Sequence, residues 1–431
     1  MPLIRFSIPE RDAQIVINPK RDALTLTVNR LTIVTFDRTG RWIGAFLDGK
    51  NYKRGADNRA MEKWAEVDGG LKIRRRRDLS GAEQGTLVER LYQLARSTLH
   101  AMQVRQVTAR NEEADDLAAW AAAKTWLERI TTWTPDRLEE DRTRFLQVYK
   151  PITILPPDQY RAVVLQITEG CTYNRCTFCD FYRDRPFRMK PLDEVREHIA
   201  AVQAFFGESL GLRHVIFLAD ANALVAPRAY LEGALEQIAA SFTIAPSDLP
   251  VEQIAGWRKA HPTWFRGVYS FIDVFTGHHK SIEEFRALQE RGLQRVYIGL
   301  ETGNAELLGF LNKPGSPAEA RELVQMIRAA GVHVGIIVMA GVGGDRFAQS
   351  HVEKTAALVS SLGLGRNDLV YISEFVEHPE SDYTQRIHQE GIRPLSRREV
   401  RAQMDALRSG FHFDQASRPK VAVYDIHEFI Y

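Results

Sequence analysis

Residues 162–180 read AVVLQITEGCTYNRCTFCD, and their sense decides the fold. A β-branched, apolar run, AVVLQIT (162–168), stops at Glu169-Gly170, and Cys171, Cys176 and Cys179 follow directly. An apolar run of that length, bounded by a glycine turn, reads as a strand buried on both faces. The three cysteines are the only ones in 431 residues, and they fall within nine residues of one another. A disulfide framework needs paired cysteines spread through the chain, so it is excluded. The clustering points instead to a metal centre held by one loop at a strand end.

Downstream the same pattern repeats. HVIFLA (214–219), GVYSFI (267–272), RVYIGL (295–300), VHVGIIVMA (332–340) and DLVYISEF (368–375) are further strand-like runs. Amphipathic helical patterns lie between them at about 192–206, 228–240, 281–291, 304–330 (broken near Pro314-Gly315) and 347–362. Strands that alternate with helices predict an α/β fold with parallel strands covered on the outside. Six such units fit a partial (β/α)6 TIM-like barrel, with an open doubly wound sheet as the competing arrangement. Both place chemistry on loops at the C-terminal ends of strands, where the cysteines stand.

Upstream, LTIVTF (31–36), the turn DRTG and RWIGAFL (41–47) predict a hairpin, and Asp48-Gly49 offers a second turn. Helical patterns follow at about 83–103, 112–131 and 135–148, the last opened by Thr134 as N-cap with Pro135 behind it. LPPDQY (155–160) reads as a linker. The expected organisation is an N-terminal α+β appendage over 1–154, a core barrel over 155–375, and a C-terminal helical extension over 376–431.

Hydrophobic residues make up 44% of the chain and charged residues 26%, an ordinary globular balance. The net charge of +2 gives no bulk attraction to duplex DNA, which leaves only a local patch such as Arg74-Arg75-Arg76-Arg77. A solvated charge run is the commoner origin of such a patch. MPLIRFSIPERD at the start lacks the apolar core of a signal peptide, and no stretch approaches a membrane span. A cytoplasmic location and no membrane partner are expected.

Thiolates are the ligands of iron–sulfur clusters, and a fully ligated cluster needs a fourth thiolate that the chain lacks. One iron would therefore be open to an outside ligand. A zinc site is the competing reading. It requires a distant histidine such as His198 or His214 to fold back as the fourth ligand. A sensing or structural cluster is a third.

The segment Gly170-Cys171-Thr-Tyr-Asn-Arg-Cys176-Thr-Phe178-Cys179 resembles the radical S-adenosylmethionine (SAM) signature. That signature has three cysteines after the first barrel strand and an aromatic residue directly before the last. Its common spacing is three residues and then two, whereas here it is four and then two. An aromatic and basic stretch, Phe181-Tyr182-Arg183-Asp184-Arg185, follows as in a group of radical SAM proteins with this loop form. The resemblance covers about 155–375 and implies a [4Fe–4S] cluster on Cys171, Cys176 and Cys179, with SAM at the open iron.

It also implies cofactor contacts on later strand ends, with Phe178 beside the cluster. After the second strand, Asn222 occupies the place of the family's Gly-Gly-Glu turn, which binds the methionine amino group, and Asp220 stands two residues earlier. An Asn carbonyl oxygen can accept from an ammonium. An Asx turn capping the helix near Pro227 is the structural alternative. Ser270 and Asp273 after the third strand are placed to reach the SAM carboxylate or ribose. Gly299-Leu300-Glu301-Thr302-Gly303 resembles the family's GLE-S/T-G segment, which assigns Glu301 and Gly303 to the cofactor. Met339-Ala340-Gly341-Val342-Gly343-Gly344 resembles its adenine-binding strand, with Met339 and Gly341 against the ring. A phosphate-cradling loop is the other reading, although no Lys-Ser/Thr follows.

The implied activity is reductive cleavage of SAM and hydrogen abstraction from an unknown, small-molecule substrate. Modification of RNA or a peptide is the alternative, and the arginine run is its only support. The implied electron donor is a flavodoxin or ferredoxin. Arg183, Arg185, Arg188 and Lys190 are candidates to dock it, to tune the cluster or to bind an anionic substrate; surface exposure alone is the plainer reading. Tyr182 is read as approaching the adenine or as packing. No cobalamin-binding signature and no cysteine for an auxiliary cluster are present, which argues against those branches of the family.

Overall fold

The computed structural model describes residues 3–8, 12–68, 71–104, 108–109, 117–246 and 249–431. Parts of MPLIRFSIPERD, and the first residues of the helix expected at 112–131, lie outside the described residues. The chain divides into two compact units. One comprises Met1–Pro151, Ala201–Arg213 and Ile430–Tyr431; the other comprises Ile152–Ala200 and His214–Phe429.

The first unit is built on nine strands. They are β1 (Ile4–Ile8), β2 (Ala13–Pro19), β3 (Ala23–Val28), β4 (Thr32–Asp37), β5 (Trp42–Leu47), β6 (Lys50–Arg54), β7 (Ala60–Asp68), β8 (Leu71–Asp78) and β9 (Thr108–Ala109). Successive strands pair antiparallel from β8 through to β1, and β9 pairs on the far side of β1. Alternation sets the core face: Ile15 and Ile17, Leu24 and Leu26, and Val34 and Phe36 are buried, while Val16, Thr25 and Thr35 between them are more exposed. Helix α1 (Gly81–Gln103) covers that face with Leu87, Leu91, Tyr92 and Ala95, and a Ser80–Glu83 capping box starts it. Helix α2 (Leu117–Thr131) adds Ala123, Leu127 and Ile130. Helix α3 (Pro135–Val148) begins at the expected Thr134 cap.

The expected hairpin is β4–β5, and Asp48 (φ 52°) with Gly49 (φ 76°) makes the left-handed two-residue turn into β6. The sheet is far larger than that hairpin, because most of its strands put polar residues on every second position. The arginine run lies in β8. Arg75 pairs with Glu66 at 3.0 Å, and Arg77 bridges Glu62 and Glu83, each at 2.7 Å. Beneath the sheet, Arg41 forms a buried bidentate pair with Asp141, both bonds at 2.7 Å.

The second unit is a parallel sheet wrapped by helices. Its strands are β10 (Ala162–Gln166), β13 (Val215–Ala219), β14 (Val268–Ile272), β15 (Leu293–Glu301), β16 (His333–Ala340), β17 (Leu369–Glu374) and β18 (Lys420–Tyr424). Two short strands, β11 (Thr168–Glu169) and β12 (Arg188–Met189), form a separate ladder. The helices are α4 (Leu192–Phe206), α5 (Arg228–Ser241), α6 (Val251–Ala260), α7 (Val274–Gly277), α8 (Ile282–Glu290), α9 (Ala305–Phe310), α10 (Pro317–Ala329), α11 (Gly344–Ser361), α12 (Asp382–Gln389) and α13 (Arg397–Gly410).

Strand order follows chain order from β10 to β18 and every ladder is parallel. A doubly wound sheet must reverse direction at a switch point, and this one never does, so the barrel arrangement holds. Among the described residues no ladder joins β10 to β18, which leaves the barrel partial. The sheet has seven strands where six were expected. The missed strand, β18, is a short edge strand, KVAVY, whose only buried residue is Tyr424.

A polar plug closes the floor near the strand starts. The Asp158 carboxylate accepts from Tyr297 at 2.6 Å, Tyr371 at 2.8 Å and Arg295 at 3.1 Å. Among the described residues no helix is long and apolar enough to cross a membrane.

Candidate functional site

The cysteine loop occupies residues 170–187, between the paired strands β11 and β12. At its base, Gly170 takes φ +76°, and a Cβ there would meet the Pro186 carbonyl oxygen at 2.7 Å, so the position requires glycine. The Gly170 N–H donates to Asp220 Oδ2 at 3.0 Å. Asp220 is buried, and it also accepts from Gln166 Nε2 at 2.9 Å and Arg185 Nε at 3.0 Å. Its two oxygens are thus engaged in fastening the loop to the ends of β10 and β13.

Further out, the Thr177 N–H donates to the Leu311 carbonyl at 3.0 Å, and Asn312 Nδ2 donates to the Arg175 carbonyl at 2.7 Å. The Tyr383 N–H donates to the Thr177 carbonyl at 3.1 Å. Arg183 donates to the Cys179 and Cys176 carbonyls, at 3.2 and 3.4 Å. The loop is therefore held by its own arginine, by the segment after α9 and by α12.

All three cysteines are free thiols and half-buried. Burial pushes Cys176 up to about 11 and Cys179 up to about 12, and Lys313 opposes both shifts. Binding a metal centre would draw the protons off. Among the described residues no three Cys, His, Asp or Glu side chains are gathered to hold one metal ion. The two histidines named as a fourth zinc ligand are engaged elsewhere. His198 Nε2 accepts from the Gln166 N–H at 3.0 Å inside the barrel wall, and His214 stacks on Trp264. Three thiols on one loop suit a cluster, which spreads its thiolates over separate irons and leaves one open.

Lys313 was missed by the sequence reading. Its ammonium lies 2.6 Å from Glu301 Oε1 and 5.8 Å from the centre of the Phe178 ring. Burial works against the Lys313 charge, but Glu301 and Cys176 outweigh it and hold its pKa above the ordinary value. Glu301 ends β15 at φ 58°, a left-handed turn that sets its carboxylate against Lys313. Gly299 makes room for the pair, since a Cβ there would fall 2.4 Å from Glu301 Oε1.

Asn222 is buried, and its Nδ2 donates to Asp273 and to Thr276 Oγ1, the latter at 2.7 Å. That fixes the amide, and its Oδ1 is buried with no partner. The side chain caps no helix, so the Asx-turn alternative does not hold. Asp273 caps α7, accepting from the Thr276 N–H at 2.8 Å, and burial raises its pKa. An orphaned acceptor beside the cysteine strand ends fits an ammonium group.

Other expected contacts have structural partners of their own. Ser270 is fully buried and donates to the Leu218 carbonyl at 3.0 Å. The Gly303 N–H donates to Thr355 Oγ1 at 2.8 Å, and a Cβ there would lie 2.4 Å from the Lys354 carbonyl oxygen, so this glycine seats α11. Met339 sits in an apolar cluster with Leu307, Phe347 and Tyr383, against which Phe178 packs. The Gly341 N–H donates to Gln403 Oε1 at 2.7 Å, and Val400 lies over the same glycine. The glycine face assigned to adenine is thus covered by α13. Tyr182 is buried under Arg185, which settles it as packing.

Residues 165–359 match the profile of the Radical SAM superfamily. Enzymes of this family use a [4Fe–4S] cluster and SAM. No curated protein sequence matches the chain. Among solved structures it is similar to coproporphyrinogen III oxidase (HemN) from Escherichia coli, described as a radical SAM enzyme. The two are 15% identical with a TM-score of 0.39, over 62% of this chain and 54% of that one. It is also similar to the radical SAM methyltransferase TsrM from Kitasatospora setae, at 16% identity and TM-score 0.37, over 56% of this chain and 44% of that one. A third similar structure is HydG, a maturase of the [FeFe]-hydrogenase, at 14% identity and TM-score 0.37, over 73% and 64% of the two chains. The chain spans about half the length of the first two.

Proposed function

We propose that the chain is a cytoplasmic radical SAM enzyme acting on a small molecule, with one cluster held by Cys171, Cys176 and Cys179. The observation that carries this reading is the cysteine loop itself: three free thiols on one loop, whose backbone is tied to Asp220 after β13, to Leu311 after α9 and to Tyr383 in α12. When bound, the reduced [4Fe–4S] cluster supplies one electron to SAM, whose cleavage gives methionine and a 5′-deoxyadenosyl radical that abstracts hydrogen from the substrate.

The chain's own residues hold and screen that chemistry. Asp220 and Arg185 fix the base of the loop. Asn222 Oδ1 accepts from the SAM ammonium, and Asp273 adds negative charge close behind the amide. Lys313 places a buried positive charge beside Cys176, balanced by Glu301. The Asp158 plug keeps bulk water from the barrel floor. In the arginine run that supports the RNA reading, Arg75 and Arg77 already pair with carboxylates.

The test is anaerobic reconstitution with iron and sulfide, then reduction with dithionite in the presence of SAM. Formation of 5′-deoxyadenosine by the wild type and none by Cys176→Ala is the expected result. Zinc uptake without cluster assembly would sink the reading.

A further inference from the structure

The β15–β16 ladder slips register between Gly299 and Glu301, and its last pair is Glu301 with Val338. A bulge of this kind re-aims the side chain beside it. Glu301 itself takes φ 58°, a left-handed conformation that residues other than glycine rarely adopt. Such a conformation persists only where the surrounding structure over-determines it. The carboxylate aimed by this turn has Oε1 on Lys313 at 2.6 Å, and among the described residues its Oε2 has no partner.

What fixes the turn is one face of α11. Ser350, His351, Lys354 and Thr355 are spaced to project together from that helix, and each reaches one of the three residues after Glu301. Asn304 Nδ2 donates to Ser350 Oγ at 2.9 Å, and Lys354 Nζ lies 3.4 Å from Asn304 Oδ1. The Gly303 N–H donates to Thr355 Oγ1 at 2.8 Å. Thr302 Oγ1 accepts from the Asn304 N–H at 3.0 Å and lies 2.8 Å from His351 Nδ1. Thr302, Asn304, His351 and Thr355 are all buried.

His351 stands at the centre of this arrangement. Burial pushes its pKa down to about 4, so the ring is neutral and Nδ1 can accept. The Thr302 oxygen already accepts from a backbone N–H, which leaves its hydroxyl proton for the imidazole. The Thr355 hydroxyl lies 3.3 Å from the same nitrogen. Two hydroxyls, each holding a backbone N–H of the turn, thus converge on one ring atom. The ring is fully buried, so whatever it does for the site it does through Thr302 and Thr355.

We propose that His351 is a positioning residue for Glu301, holding the left-handed turn through Thr302 and Thr355 so that the free carboxylate oxygen meets bound SAM. The proposal rests on the radical SAM reading given above. It adds a residue that touches neither SAM nor the cluster.

The test is a double-mutant cycle on SAM affinity, read by calorimetric titration of the reconstituted protein at matched iron content. His351→Leu is expected to weaken SAM binding roughly fivefold or more when Glu301 is present, and by less than about twofold in Glu301→Gln. A histidine that only supports the fold would cost the same factor in both backgrounds, so additive losses overturn the proposal. Thr302 gives an independent measurement should either of those variants fail to fold. Thr302→Val removes the hydroxyl at nearly constant shape and should weaken SAM by a factor similar to His351→Leu. Thr302→Ser returns the hydroxyl and should recover most of that loss. Equal weakening in the Val and Ser variants, or none in Val, overturns the proposal while leaving the radical SAM reading in place. A wild-type protein that assembles its cluster but binds no SAM overturns the radical SAM reading itself, and the role of His351 falls with it.

Discussion

Lys313 and Glu301 form a 2.6 Å ion pair at the rim of the barrel, with both side chains about nine-tenths buried. Removing one partner of such a pair strands the other charge, at a cost of about 3–5 kcal/mol. Lys313→Met should therefore lower unfolding stability by about 3 kcal/mol in urea titration. Adding Glu301→Gln to it should recover more than half of that loss. Equal losses in the single and double variants would show that the pair contributes nothing as a pair. SAM affinity should stay depressed in the double variant, since neutralising both groups restores packing but not the charge beside Cys176.

Asp220 is a positioning residue, and its effect should reach the thiols through Gly170. In Asp220→Asn the amide cannot accept with both of its heavy atoms, and buried Arg185 keeps only the exposed Asp184 carboxylate, at 2.8 Å, as counter-charge. A stability loss of about 2–4 kcal/mol is expected. Iron content after reconstitution should fall at least about twofold, because the base of the loop is no longer fixed. Wild-type iron content in a folded Asp220→Asn protein would exclude this role.

The barrel was legible because strands such as β10 and β13 are buried on both faces, which writes them as unbroken apolar runs. In the first unit only the β4–β5 hairpin and helices such as α1 and α3 were legible. Its sheet buries one face only, so Leu24 and Leu26 alternate with Thr25 and Thr27, a short pattern that any loop can mimic. The cysteines declared their chemistry by residue type and spacing alone. Lys313 could not, because its place beside Cys176 depends on the turn after α9 folding back onto a loop far away in sequence. Asp220 was read as a cofactor group for the same reason: its true partners, Gly170 and Arg185, come together only in the fold.

His351 is fully buried, with Nδ1 2.8 Å from Thr302 Oγ1, and burial pushes its pKa down from 6.5 to about 4. A depressed folded-state pKa means that unfolding takes up a proton at mildly acid pH. Its contribution to stability is present in full above about pH 6.5 and is lost as pH falls towards 4. The shift corresponds to roughly 3 kcal/mol. Urea unfolding of His351→Gln between pH 7.5 and 4.5 should show a stability that falls less steeply with acid than wild type. The slope is the readout, because the baseline also loses the Thr302 contact. Parallel slopes would place the acid sensitivity elsewhere.

Asn222 offers the sharpest test of the SAM site. Its amide is oriented by Asp273 and Thr276, so Oδ1 has one direction to point and no partner in the protein. A second carboxylate at this position would lie against Asp273 and repel it. Asn222→Ala removes the acceptor while leaving Asp273 capped by the Thr276 backbone N–H. A hydrogen bond to a charged group contributes about 1.5–3 kcal/mol, so SAM affinity should weaken by roughly tenfold or more. Calorimetric titration of the reconstituted protein reads the loss directly. S-adenosylhomocysteine, which keeps the same ammonium but lacks the sulfonium, should lose affinity by a similar factor. If Asn222→Ala binds both as tightly as wild type, the orphaned oxygen faces something other than the amino acid end of SAM.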